Sequence, residues 1–248
     1  MNEFKSKLIN NIMVLKIFSL DGNIGSGKST LIHLLKENQD RLQTNIGREI
    51  IFLQEPVDDW KNIVDENNKN LIENYYTDQK KWGFSFQITT LISRISQLKN
   101  VRDYGCEVVV ITERSISSDK NVFCKMLYDD NIINTLDYNI YNKWYNEFIK
   151  DYPLVGNIYL KTNPKTAYER VLKRNRNEEE GIPMEYLSKC NDYHENWLMN
   201  EKNKLIINGN IDIDKKDCEK KSKYTVNKPL QLPSKWLSDV ETYLQENI

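Results

Sequence analysis

Residues 22–30 read Gly-Asn-Ile-Gly-Ser-Gly-Lys-Ser-Thr. Gly22 to Ser29 fit G-x-x-x-x-G-K-S, a spacing whose chemistry is the cradling of nucleotide phosphates. Gly22, Gly25 and Gly27 let backbone N–H groups turn inward around phosphate oxygens, where a Cβ would collide. Asn23, Ser26 and Thr30 complete the loop. Lys28 carries a mobile positive charge suited to β- and γ-phosphates, and the Ser29 hydroxyl suits Mg²⁺.

Three more groups have reactive side chains at telling places. Glu55, in Glu55-Pro56-Val57-Asp58-Asp59-Trp60, stands where Pro56 ends an apolar run, so its carboxylate can accept a proton from a substrate hydroxyl. Taken alone it is as well explained as a surface turn residue. Glu113 closes the run Val108-Val-Val-Ile-Thr-Glu113 and suits a Mg²⁺-associated carboxylate. Arg114 beside it can steady phosphate or substrate oxygens, a plain ion pair being the alternative. Arg170 and Arg174, at i and i+4, share one helix face, and Arg176 lies just beyond. Arginines grouped in this way can close over a transferring phosphoryl group, although a charged run is more often a solvated face. Gly181 and Pro183 then break the helix into a lid loop.

These groups must be held by a sheet. Apolar runs recur at 14–20, 50–53, 108–111, 158–160 and 205–207, separated by helix-compatible segments. That alternation predicts an α/β fold: a central five-stranded parallel sheet flanked by helices, with an arginine-rich lid at about 170–184. Ligands of such sheets sit beyond the carboxyl ends of the strands, where each candidate lies. The 248 residues fit a single domain, 1–248, with a polar insertion at about 209–235.

A net charge of −1 gives no basic field for duplex nucleic acid. Four separated cysteines without a C-x-x-C pair, and two histidines, argue against zinc and for reduced thiols. The polar N-terminus lacks a signal peptide's pattern, and no apolar stretch is long enough to span a membrane, so a cytoplasmic protein is expected.

The segments GNIGSGKST (22–30), EPVDDW (55–60), FSFQ (84–87), ERSISSD (113–119) and RNRNEEEGIPMEYL (174–187) resemble the deoxynucleoside kinase family, in family order, over about residues 14–208. The resemblance implies a P-loop kinase fold and transfer of a phosphoryl group from ATP·Mg²⁺ to a deoxynucleoside 5′-hydroxyl, in nucleotide salvage. It implies Glu55 as the base, with Arg114 beside it, and Ser29 and Glu113 near Mg²⁺. Lys28, Arg170, Arg174 and Arg176 would hold donor phosphates, and Tyr76 and Glu179 the sugar 3′-hydroxyl. Gln87 would read the base edge between Trp60, Phe86 and Phe123. A homodimer built from packed helices is implied as well.

Arg94 and Asp119 match a charged pair found in relatives that handle deoxycytidine or deoxypurines, which favours those bases over thymidine. Tyr75 and Thr90 also shape that choice. A thymidine-preferring kinase and a non-catalytic structural relative are the alternatives. A nucleoside monophosphate kinase fits less well, because Glu55 would repel an acceptor phosphate. A GTPase-like switch fits poorly too, since Asn163-Pro164-Lys165 is no guanine-reading segment.

Overall fold

A computed structural model describes residues 15–102, 107–174, 181–211 and 234–248. Five strands form one parallel sheet: β1 (Lys16–Asp21), β2 (Glu49–Leu53), β3 (Val108–Glu113), β4 (Leu154–Lys161) and β5 (Lys204–Asn208), in the order β2-β3-β1-β4-β5. Every apolar run singled out in the sequence contributes a strand. β1 is central, and the chain turns from one side of it to the other between β3 and β4. That reversal opens the crevice where ligands of open α/β sheets bind.

The strands bury both faces. Val109 and Ile111 point to one side and Val108 and Val110 to the other, following the period of two. The first face packs on α1 (Lys28–Glu37), α2 (Gln39–Ile46) and the C-terminal helix Ser234–Asn247, through Leu31, Leu35, Leu42, Trp236, Val240 and Leu244. The second face packs on α4 (Leu71–Thr77), the long α5 (Gln79–Arg102) and later helices, and α3 (Val57–Asn62) lies against α4 and α5. Leu91, Ile95 and Leu98 of α5 meet Tyr141 and Tyr145 there.

After β3 the chain forms α6, which opens at Ile116–Ser118, widens into a π-helix over Asp119–Cys124 and returns to α geometry over Lys125–Asp129. π-Turns inside helices recur at functional sites, and this one carries both Asp119 and Phe123. Then come α7 (Thr135–Phe148), α8 (Pro164–Arg174) and α9 (Met184–Leu198). No described helix is long and apolar enough to cross a membrane.

Candidate active site

Parallel register brings the strand ends together. Leu20 of β1 pairs with Glu113 of β3, and Leu53 of β2 pairs with Thr112. Gly22, Glu55 and Glu113 therefore leave the sheet along one edge. α5 crosses that edge with Gln87 and Arg94, two turns apart on its buried face.

The glycine loop is shaped as its spacing requires. Gly25 has φ 76, and a Cβ there would collide with the Ala167 carbonyl; a Cβ on Gly22 would lie 2.7 Å from the Leu160 oxygen. Asn23 Nδ2 donates to the Leu187 carbonyl at 2.8 Å, so this side chain braces the loop against α9. Ser26 is buried with its Oγ unpartnered. α1 starts at Lys28 without a side-chain cap, which leaves first-turn N–H groups and the helix dipole facing the loop, an anion site.

Lys28 folds back over that loop. Its Nζ donates to the carbonyls of Gly22 at 3.0 Å and Asn23 at 2.8 Å. Burial, and after it the charge of Arg114, lower its pKa from 10.5 to about 7, against the opposing pull of Glu113 and Glu55. Arg174, at the end of α8, is close enough to add to the lowering. Next along the helix, Ser29 Oγ donates to Glu113 Oε1 at 2.7 Å. Two hard oxygens side by side at a phosphate loop fit Mg²⁺, which is usually held by one or two protein oxygens together with substrate phosphates. No described cluster of three His, Cys, Asp or Glu would hold a metal by itself.

Glu55 is the electrostatic centre of the edge. Arg94 Nη2 donates to its Oε1 at 2.6 Å, and Arg114 Nη1 donates to Oε1 at 2.8 Å and Oε2 at 3.0 Å. Burial alone would raise this carboxyl, but Arg114, then Arg94 and Lys28, outweigh it and hold the pKa at about 2. Arg94 also donates through Nε to Asp119 Oδ2 at 2.9 Å and through Nη1 to the Glu113 carbonyl at 2.7 Å. Burial raises the Asp119 carboxyl further than Arg94 lowers it. Arg94, with Glu55 and Asp119 together overcoming its own burial, has its pKa raised and keeps its charge.

Aromatic side chains lie beside this cluster, Trp60 with its ring 5.9 Å from the Arg94 guanidinium. Trp60 meets Phe86 edge-on at 5.6 Å and anchors its Nε1 on Ser93 Oγ at 3.0 Å. Tyr75 stacks on Phe86 at 4.4 Å and touches Tyr76 at 5.1 Å. Phe123 lies under the Arg114 guanidinium at 5.0 Å. Gln87, only 2 % exposed, is far from an ordinary helix-surface glutamine, and its Oε1 has no hydrogen-bond partner. A buried amide left half satisfied is costly unless a ligand completes it.

The lid arginines divide. Arg170 Nη1 donates to the carbonyls of Ser26 at 3.1 Å and Gly209 at 2.7 Å, and Nη2 to that of Ile211 at 3.2 Å, tying the loop to the segment after β5. Arg174 ends α8 at the surface. Arg176 and Glu179 lie outside the described residues, as does most of the polar stretch 209–235.

Three participants escape a reading of motifs. The Arg94–Glu55 bond joins residues 39 apart in sequence. The buried carboxylate of Asp21, just before the loop, takes Asn157 Nδ2–H at 3.0 Å and the Ser118 hydroxyl. His194 is fully buried among Phe123, Arg114 and Lys28 with Nε2 unpartnered. An acid closing an apolar strand was a visible signal for Asp21, whereas nothing local marks His194.

Comparison with known proteins agrees with this geometry. The family model described as deoxynucleoside kinase matches residues 18–229. The fowlpox virus (strain NVSL) protein named "Probable deoxycytidine kinase" is 36% identical over 208 residues, covering 80% of each chain. Deoxycytidine kinase of Homo sapiens is 33% identical over 205 residues, covering 75% of this chain and 76% of its own. The mitochondrial deoxyguanosine kinase of Xenopus laevis is 34% identical over 207 residues, covering 76% of this chain and 75% of its own.

Proposed function

Because the chain belongs to the deoxynucleoside kinase family, we propose that it transfers the γ-phosphoryl group of ATP, with Mg²⁺, to the 5′-hydroxyl of deoxycytidine or a deoxypurine in preference to thymidine. The observation that carries this reading is Glu55. It is a part-buried carboxylate clamped by two buried arginines, at the same sheet edge as a complete phosphate loop.

The division of labour follows from the site. Loop N–H groups and Lys28 hold the donor phosphates, and Arg170, Arg174 and Arg176 complete the cationic surround. Mg²⁺, when bound beside Ser29 and Glu113, offsets charge on the phosphates. Glu55 at about pKa 2 is a weak ground-state base. Its part is to accept the hydrogen bond of the 5′-hydroxyl, orient that oxygen in line, and take its proton late as the new bond forms. Arg114 keeps Glu55 aimed and ionised. Tyr76 and Glu179 take the sugar 3′-hydroxyl. Gln87 offers an acceptor and a donor to the base edge, between Trp60, Phe86 and Phe123.

The buried Arg94–Asp119 pair supports deoxycytidine or a deoxypurine, since its charged donors and acceptors suit a polar base edge better than a thymine methyl. The deoxycytidine and deoxyguanosine kinases among the relatives point the same way. Comparing kcat/KM for deoxycytidine, deoxyadenosine, deoxyguanosine and thymidine tests it. One of the first three should exceed thymidine by about tenfold or more, a difference of the size polar pocket contacts produce. Thymidine as the best substrate would overturn the base assignment.

We also propose a homodimer through α7 and α5. Leu136, Ile140 and Trp144, at i, i+4 and i+8 of α7, lie 68%, 37% and 51% exposed, and Ile92 of α5 is exposed too. Such a stripe marks a helix face that meets another protein surface. Sedimentation of the wild type should give twice the 29.4 kDa chain mass, and Trp144→Glu should give the single-chain mass. A monomeric wild type would contradict the assembly. The single-domain reading, with its lid at about 170–184 and insertion at about 209–235, belongs to the same proposal. So does a cytoplasmic location, which the buried free thiols of Cys124 and Cys190 suit.

A further inference from the structure

We propose that Asp21 is a positioning residue for the Arg114–Glu55 pair, acting through the hydroxyl of Ser118. The inference rests on the kinase reading above. Arg114 has φ 61, in the left-handed region that side chains of its size rarely adopt. Such a backbone persists where its surroundings over-determine it. Here they do so on both sides. The Arg114 N–H donates to the Leu20 carbonyl at 3.0 Å, carrying the β1–β3 ladder past the end of β3. The next N–H, that of Ser115, donates to Ser118 Oγ at 2.9 Å, and the Ser118 N–H donates back to Ser115 Oγ at 3.2 Å.

Counting hydrogens gives this small network a direction. Ser118 Oγ–H donates to Asp21 Oδ1, which uses its one proton. Ser118 Oγ must then accept from both the N–H and the hydroxyl of Ser115, the latter 3.1 Å away. The second oxygen of Asp21 takes Asn157 Nδ2–H at 3.0 Å, fixing the carboxylate against β4. Asp21 and Ser118 are both fully buried, so water cannot replace a lost bond. Asp21 is also the last residue of β1 and directly precedes Gly22. One carboxylate thus joins the turn that aims Arg114 at Glu55 to the strand that launches the phosphate loop. It sets the acceptor-side groups in register with the donor side, where a displacement of about 1 Å costs on the order of 10²-fold in rate.

Asp21→Asn and Ser118→Ala test this in the full-length protein. Each should lower kcat by about 10- to 100-fold while the KM for ATP stays within about threefold. Each is then combined with Arg114→Ala and followed by single turnover with labelled ATP. In that background either change should cost less than about threefold more, because the group being positioned is gone. Losses of equal size in both backgrounds, or single variants with wild-type kcat, would overturn the proposal. Ser118→Ala deletes one oxygen and carries the test if Asp21→Asn does not fold. An inactive wild type would remove the kinase reading and this inference with it; an active wild type with insensitive variants would remove the inference alone.

Discussion

Glu55→Gln should lower kcat by about 10²–10⁴-fold, the range that removal of a positioned proton acceptor produces. The amide matches the carboxylate in shape and still offers one oxygen to Arg114 and Arg94, so the fold should survive. What it loses is charge. Two buried guanidiniums would then face each other across a neutral group, and the 5′-hydroxyl would have no partner able to take its proton. Because Glu55 is held at about 2, it stays ionised across the neutral range. Its depressed carboxyl contributes stability that is present above its ordinary pKa and is lost only as pH falls toward about 2. The acid limb of kcat/KM should accordingly contain no ionisation from Glu55 above about pH 3. Wild-type turnover in Glu55→Gln, measured as product formed per folded enzyme, would remove Glu55 from the reaction.

The second large effect is expected at Lys28. Lys28→Met should lower kcat by about 10³-fold, since it removes the charge that meets the γ-phosphoryl group in a water-poor site. Lys28 also makes nucleotide binding a proton-linked event. Burial and Arg114 hold its unliganded pKa at about 7, so it is mostly neutral at about pH 8. Donor phosphates would replace the Gly22 and Asn23 carbonyls as its partners and restore the charge. Binding of ATP·Mg²⁺ at about pH 8 should therefore take up close to one proton more in the wild type than in Lys28→Met, read by titration calorimetry in buffers of different ionisation enthalpy. At about pH 6 Lys28 is charged beforehand, and the difference should vanish. The sign for stability follows the same ionisation: the unliganded protein gains stability as pH rises from about 7 toward 10.5, where only the unfolded chain still holds the proton. Equal proton uptake by both proteins at about pH 8 would contradict this account of Lys28.

Much of this molecule was legible before any coordinates, and the limits are physical. The five strands showed as β-branched apolar runs because parallel strands buried on both faces need little else. The phosphate loop and Glu113 showed because the loop directly follows a strand and Glu113 closes one, where local sequence and position coincide. The C-terminal helix carries Trp236, Val240, Tyr243 and Leu244 on one face, a helical period readable from the sequence as well. Contacts between distant segments were beyond a motif reading. Gln87 looks like any helical glutamine until the helix is laid across the sheet edge, and Arg94 binds both Glu55 and Asp119 only because β2, α5 and the π-turn converge there. The left-handed backbone of Arg114 has no local sign in its residue type, because tertiary bonds impose it.

The central claim is the fate of the γ-phosphoryl group. The direct measurement is to incubate the wild-type protein with Mg²⁺, γ-labelled ATP and deoxycytidine or a deoxypurine nucleoside, and to identify the labelled product by chromatography and phosphorus NMR. The account predicts that the label appears in the deoxynucleoside 5′-monophosphate, in amounts equal to the ADP released. Label recovered only as inorganic phosphate, or on the 3′-hydroxyl, would contradict it.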